Sequence, residues 1–281
     1  MGRQLRIVHH TGYRYQREVA TSHNEARMTP RSNREQIVLA TTLEISPTAW
    51  TYAFRDYWRT HVTAFEIPAP HDRLQVVATS TVEVGDRATA GHGLSWEEVG
   101  APDLADLQVE MLQLASHVEP PGELRTLARR IRREAETPAQ AVHQVVDAIR
   151  ERVEYVPGAT EVHTRASQVW ETRAGVCQDL VHLGLGALRS IGVPARYVSG
   201  YVMPSQDPVV GQVQTGESHA WLQYWDGTWV GLDPTNDTAP GDFHVEIGVG
   251  RDYFDIPPLK GIYSGSSESD MFVEVEITVL A

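Results

Sequence analysis

Between Gly175 and Pro194 the sequence reads as one buried helix with a marked start. After Cys177, the residues Leu180, Leu183, Gly184, Ala187, Leu188 and Ile191 recur at steps of three and four, the period of a helix with one apolar face. Gly192 and Pro194 end it, as a C-terminal glycine and a following proline do. Cys177 is the only cysteine among 281 residues, and it falls in the first turn. Unpaired backbone N–H groups and the positive end of the helix dipole favour a thiolate there. Gly175 lets the backbone turn tightly just before it. The one thiol of the chain stands where a loop becomes a helix, where a nucleophile gains most.

The groups that could activate it follow. Residues 218–225 (SHAWLQYW) alternate like a strand, and residues 228–233 (TWVGLD) read as the return strand that Pro234 stops. Register decides whether His219 meets Asp233. A two-residue turn at Asp226 and Gly227 would pair Trp225 with Thr228 and leave Asp233 on the face opposite His219. A three-residue loop over Trp225, Asp226 and Gly227 pairs Tyr224 with Thr228 and sets His219 directly across from Asp233. The second register is the expected one. It also gathers Ala220, Leu222, Val230 and Leu232 on one apolar face, with His219, Trp221, Gln223 and Asp233 on the other.

Four blocks, Gly175-Val-Cys-Gln-Asp179, residues 192–201 (GVPARYVSGY), His219-Ala-Trp221 and residues 229–236 (WVGLDPTN), together resemble the core of the transglutaminase-like superfamily. They stand in the family's order. Residues 6–15 (RIVHHTGYRY) and 70–77 (PHDRLQVV) resemble the β-rich domain that precedes this core in bacterial members. The resemblance implies a papain-like, transglutaminase-like core in an α+β chain, with Cys177 as nucleophile, His219 as base and Asp233 as orienting acid. The superfamily includes transglutaminases, peptidases, peptide N-glycanases and members without activity. On these residues, attack on an amide carbonyl gives a thioester that water or an amine resolves. The Cys177 N–H is the expected oxyanion donor; Gln168 and Trp170 stand near in sequence as a second, without a specific match.

Each residue also has a purely structural reading. Cys177 could be a small core hydrophobe, and His219 with Asp233 a structural pair. Asp179 could serve the helix dipole and His182 the packing, and Trp221, Trp225 and Trp229 read as packing residues. Asp237 is the alternative acid, past the proline that ends the strand.

Strand-like runs at residues 3–15, 36–45, 51–67 and 74–84 indicate an N-terminal antiparallel β domain, and residues 85–93 a small polar linker. This divides the chain into residues 1–88 and 89–281. Helical periodicity covers residues 104–116, 123–136 and 139–153. Residues 271–280 alternate strictly and are expected to complete the second domain's sheet, with residues 261–270 a mobile loop. A formal charge of −13 argues against nucleic acid or anionic membrane as partner, since both reward Lys and Arg. The run Arg129-Arg-Ile-Arg-Arg133 is a solvated helix face. One cysteine allows no intrachain disulfide, and the first residues lack an apolar signal segment, so a cytoplasmic protein is expected. No cofactor or metal is expected: the 12 histidines, among them His9, His10, His71, His163 and His244, lack zinc-site spacing. The partner is then a peptide or protein substrate, with oligomeric state open. Peptidase or amidase hydrolysis ranks first, then amine-accepting cross-linking, then a non-catalytic peptide-binding module.

Overall fold

The structure, a computed structural model, describes residues 2–85, 90–205, 207–216 and 218–281. It is α+β with mostly antiparallel sheets. The N-terminal part supplies β1 (Arg3–Val19), β2 (Thr21–Ala26), β3 (Gln36–Ser46), β4 (Trp50–Arg55), β5 (His61–Ile67) and β6 (His71–Val84). Helices follow: α1 (Trp96–Val99), α2 (Pro102–Leu107), α3 (Val109–Leu112), α4 (Gly122–Glu134) and α5 (Pro138–Arg152). The short β7 (Glu154–Tyr155), α6 (Ala166–Thr172) and β8 (Ala174–Gly175) lead into α7 (Cys177–Ser190). The chain closes with β9 (Ala195–Val202), β10 (Val213–Gly216), β11 (Ser218–Trp225), β12 (Trp229–Leu232), β13 (His244–Gly250), β14 (Leu259–Ser264) and β15 (Ser269–Val279).

The four-stranded sheet β12-β11-β9-β13 carries α7 on one face. Leu183, Leu185 and Leu188 of α7 pack with Ala220, Leu222 and Tyr224 of β11 in a core that α4, α5 and α6 enclose. Gly184 permits this approach, since a Cβ there would stand 2.8 Å from Leu222 Cδ2. A second core joins this sheet to the five-stranded sheet β10-β15-β1-β6-β3: Tyr201, Val245 and Ile247 meet Leu5, Ile7, Val275 and Ile277. The third sheet, β14-β2-β5-β4, packs on the far end through Tyr15, Met28, Phe65 and Ile67. Among the described residues no helix is long and apolar enough to cross a membrane.

Several expectations are corrected. Residues 271–280 do not complete the sheet beside α7: β15 pairs with β1, Leu5 facing Val279 and Tyr15 facing Ser269. Strict alternation says that one face is buried, not which sheet buries it. Residues 261–270 are not a mobile loop but lie in β14, a turn and the start of β15; Ser267 Oγ accepts the Arg17 N–H at 2.9 Å. Residues 51–67 form two strands, because Asp56 Oδ1 accepts the Thr60 N–H at 2.9 Å and closes a turn with Arg59 at φ 62°. Residues 104–116 break into α2 and α3, with Leu107, Val109 and Leu114 exposed, so their periodicity marks no common buried face. Strand β2 carries no apolar alternation in the sequence, because two of its three buried residues, Ser22 and Asn24, are polar; Ser22 Oγ lies 3.0 Å from His71 Nε2 and accepts the Asn24 amide at 3.1 Å. The boundary placed at residues 88/89 lies outside the described residues. Just after it the chain is tied down, with Asp226 accepting the Gly93 and Leu94 N–H groups at 3.0 and 2.6 Å.

Candidate active site

Cys177 is the first residue of α7, partly exposed, behind the extended N-cap Val176. Val176 has no side chain able to cap, so Asp179 serves. Its Oδ2 accepts the Val176 N–H at 2.8 Å and the Thr160 hydroxyl at 2.5 Å. Burial pushes the Asp179 carboxyl up, and these two donors oppose the shift. Gly175 is required for this packing, since its Cβ would lie 2.9 Å from both Asp179 Cβ and Val169 Cγ1. Gln178 donates to the Val162 carbonyl at 3.0 Å and ties α7 to the segment between β7 and α6.

His219 is the second residue of β11, near enough to Cys177 for the thiol to help raise its pKa. Its Nε2 lies 2.7 Å from Asp233 Oδ2. With Nε2 committed to the carboxylate, Nδ1 is the ring nitrogen left for another partner. Asp233 is fully buried and its charge is compensated on both oxygens. Oδ1 accepts the Thr235 and Asn236 N–H groups at 2.9 and 3.2 Å. Oδ2 accepts His219, the Asn236 amide at 2.7 Å and, at 3.2 Å, Nε2 of His244. Burial alone would raise the Asp233 carboxyl; the donors from His219, His244 and Asn236 instead hold it far below the carboxylate range. Burial likewise pushes His219 down, but Asp233 and Cys177 outweigh it and its pKa stands at about 10.

The ladder that brings these groups together is not the expected one. Trp225 pairs with Trp229, Tyr224 with Val230 and Leu222 with Leu232, with Asp226, Gly227 and Thr228 as the loop. Tyr224 thus meets Val230 where Thr228 was expected, a shift of two residues along the return strand. It places Asp233 diagonal to His219 instead of directly opposite. Diagonal neighbours share a face and remain within reach of long side chains, so the contact survives. Asp233 itself leaves the strand and forms an isolated bridge with Thr238.

Trp221, fully buried, lies nearly parallel to the His219 ring and edge-on to the His244 ring, at centroid distances of 6.2 and 5.3 Å. Gly200 leaves room for it, because a Cβ there would stand 2.6 Å from the indole. The other residues singled out in the sequence lie elsewhere in the network or outside it. Asp237 is exposed and pairs with Arg150 at 2.6 Å. Gln168 accepts the Arg165 N–H through its amide oxygen, and the Trp170 indole donates to Glu123 at 2.9 Å, so the indole N–H is committed elsewhere. His182 is buried beneath Cys177 on α7, where Nε2 accepts the Tyr253 N–H at 3.3 Å; burial and the nearby His117 hold its pKa at about 3. His219, Asp233 and His244 offer donor atoms within 4.8 Å of one another. Both imidazoles direct Nε2 at the same Asp233 oxygen, the pattern of a hydrogen-bond network.

Sequence reasoning missed His244, Asn236 and Thr160. His244 opens the run of residues 245–249 (VEIGV), apolar but for Glu246, and that is the signal available. A cleft of about 410 Å³ opens over the site, lined by Tyr155, Val202, Pro204, Ser218, His219 and Asn236 among others. A larger concavity, about 770 Å³, lies on the β14-β2-β5-β4 sheet around Trp50 and Tyr52, far from the thiol. The smaller cleft is the one beside reactive groups.

Residues 125–234 match the core of the transglutaminase-like superfamily, and residues 5–83 match the bacterial transglutaminase-like N-terminal region. An uncharacterized protein of Mycobacterium leprae is 42% identical over 278 residues, covering 99% of each chain. The protein-glutamine gamma-glutamyltransferase of Pseudomonas aeruginosa is 31% identical over 140 residues, which span 46% of this chain and 20% of that protein. A solved structure from Cytophaga hutchinsonii, described as a candidate cysteine protease, aligns with TM-score 0.78 at 22% identity over 100% of this chain and 92% of that one, a likeness of fold. Its core and its N-terminal region both match in order, and the chain belongs to the transglutaminase-like superfamily.

Proposed function

We propose that the chain catalyses cysteine-dependent acyl transfer on amide bonds of a peptide or protein, with Cys177 as nucleophile, His219 as base and Asp233 as orienting acid. One observation carries this reading: the His219 imidazole stands between the Cys177 thiol at a helix start and a buried, fully bonded carboxylate. Asp233 holds the Nε2–H tautomer and favours the imidazolium, so His219 can take the thiol proton on Nδ1. The thiolate adds to the amide carbonyl, and the resulting oxyanion faces the Cys177 N–H, which a helix start leaves without an intrahelical acceptor. Collapse expels ammonia or an amine, protonated by the imidazolium, and leaves a thioester. Water, deprotonated by His219, then releases the acid and restores the thiol.

Hydrolysis ranks first because water is always at hand, while a transferred amine needs a site of its own. Amine transfer is the second reading, favoured by the similarity to a segment of a protein-glutamine gamma-glutamyltransferase. Incubating the protein with a broad peptide set, with and without a primary amine, and weighing the products separates the two. Products shortened or deamidated point to hydrolysis, and products gaining the amine point to transfer. If no product depends on Cys177, the acyl-transfer reading fails and a peptide-binding module of the same fold takes its place.

A further inference from the structure

The proposed chemistry leaves one buried group on Asp233 without a role. His244, at the start of β13, puts Nε2 3.2 Å from Asp233 Oδ2 while its Nδ1 lies 3.2 Å from the Gly241 nitrogen. A backbone N–H can only donate, so Nδ1 is the acceptor. The proton of the neutral ring is therefore on Nε2, directed at Asp233.

We propose that His244 is a positioning residue that sets the Asp233 carboxylate in the orientation that fixes the His219 tautomer. The proposal rests on the reading of Cys177 and His219 given above. It follows from where Asp233 sits. Asp233 lies beyond the last ladder pair of β12, so strand pairing does not aim its side chain. Two of its donors, Thr235 and Asn236, belong to the turn that follows it and move with it. A third, His219, is the group it has to hold. Apart from His219 itself, His244 is the described partner that comes from another strand, and β13 pairs with β9, which pairs in turn with β11. His244 thus refers the acid to the framework that carries the base. Trp221, wedged against both imidazoles, keeps their spacing.

A packing role alone would be met by any side chain of similar size; the proposal needs the Nε2–H. Because Cys177 is the only cysteine, its alkylation by iodoacetamide reads the site without a known substrate. His244→Met, similar in size and without a donor, should slow alkylation at neutral pH about tenfold, the size typical of partners that orient a reacting group. His244→Gln, whose amide can donate to Asp233, should stay within about threefold of the parent. On any substrate the peptide screen supplies, kcat should fall in the Met variant with KM unchanged, because orientation of the acid acts on the chemical step. Nitrogen-resolved imidazole spectra of the parent protein should show His244 as the Nε2–H tautomer. They should also show a His219 Nε2–H resonance that is lost in His244→Met and regained in His244→Gln.

A Met variant that alkylates at the parent rate, or a parent His244 carrying its proton on Nδ1, overturns the proposal. If the Met variant fails to fold, the parent tautomer and the Gln variant decide, and a folded Gln variant as slow as His219→Ala also overturns it. His219→Ala separates the two levels. If it alkylates at the parent rate, the base reading falls and His244 with it; if it is slow while His244→Met is not, only the role of His244 falls.

Discussion

Two strands of this molecule reverse the usual sorting of side chains. Every residue of β13 is buried, although it contains His244 and Glu246, whereas β4 leaves Trp50 and Tyr52 80% and 69% exposed. Burying a polar group costs roughly 1–3 kcal/mol unless it is paired. Around Asp233 the cost is offset because His219, His244 and Asn236 all donate to the one carboxylate, while Trp221 Nε1 and His182 Nδ1 stay buried without a partner. Exposed aromatics on an edge strand carry no such demand. The difference teaches where to look for chemistry: not in the larger hollow beside Trp50, but where polar groups are buried around a shared carboxylate.

The sharpest break of the contrast comes from the site itself. Cys177→Ala and His219→Ala should abolish turnover, and Asp233→Asn should lower kcat by up to about 10⁴-fold and leave measurable activity, since its role is orientation. Steady-state rates check this. Wild-type activity in Asp233→Ala would remove the acid from the mechanism. Next in size is truncation. A chain beginning near His92 loses β1 and β2, the partners of β15 and β14. It should show no cooperative unfolding transition by circular dichroism. If it folds and its thiol still reacts, the two regions are more separable than their shared sheets imply.

The buried histidines set a pH dependence with two signs. His9 and His182 are held at about 3, mainly by burial, while the unfolded chain protonates them near 6.5. The unfolded state therefore binds more protons between those values, and stability falls as pH drops through that window, by at most about 1.4 kcal/mol per unit per histidine. His219, pushed up to about 10, has the opposite sign: its contribution is complete below about 6.5 and is lost as pH rises toward 10. Thermal midpoints should peak near neutrality and fall on both sides, and His9→Phe should flatten the acid side. A midpoint that keeps rising as pH falls below about 6 would contradict the sign.

Smaller still are two substitutions that set the regions against each other directly. Gly200→Ala adds one methyl group where its Cβ would stand 2.1 Å from the Val245 carbonyl oxygen and 2.6 Å from the Trp221 ring. It should cost about 1–3 kcal/mol in denaturant unfolding. Trp50→Ala removes the bulkiest side chain of β4 and should change stability by less than about 0.5 kcal/mol. A larger loss for Trp50→Ala than for Gly200→Ala would collapse the distinction.

Much of the site was legible because short-range signals set it. The helix start at Cys177 follows from Gly175, Gly192, Pro194 and a period of three and four, all local. The faces of β11 and β12 were legible for a subtler reason. The expected register pairs Tyr224 with Thr228 and the observed one pairs Tyr224 with Val230, two residues further along the return strand. Asp233 keeps its face because the shift moves its partner position by two along β11. Long-range partnerships were not legible. Alternation in residues 271–280 carries no address, and only the fold places them beside β1. His244 was passed over as a metal ligand without suitable spacing. Its partner Asp233 is supplied by tertiary structure, and no spacing pattern encodes a second imidazole on one carboxylate.

The pairing of β1 with β15 also sets a timetable. During synthesis the ribosome releases β1 first, yet the strand that lies between β1 and β10 emerges only after the helices and the rest of the sheet that carry the site. Until then one long edge of β1 is open, and contacts this distant in sequence form late because closing so large a loop costs entropy before it returns any packing. The nascent chain thus holds a strand with one unpaired edge and a half-covered apolar face for most of its translation, a state prone to mispairing with neighbouring chains. Holding β1 until β15 arrives is a task for chaperones, and yield in the cell should depend on them more than the stability of the finished molecule suggests.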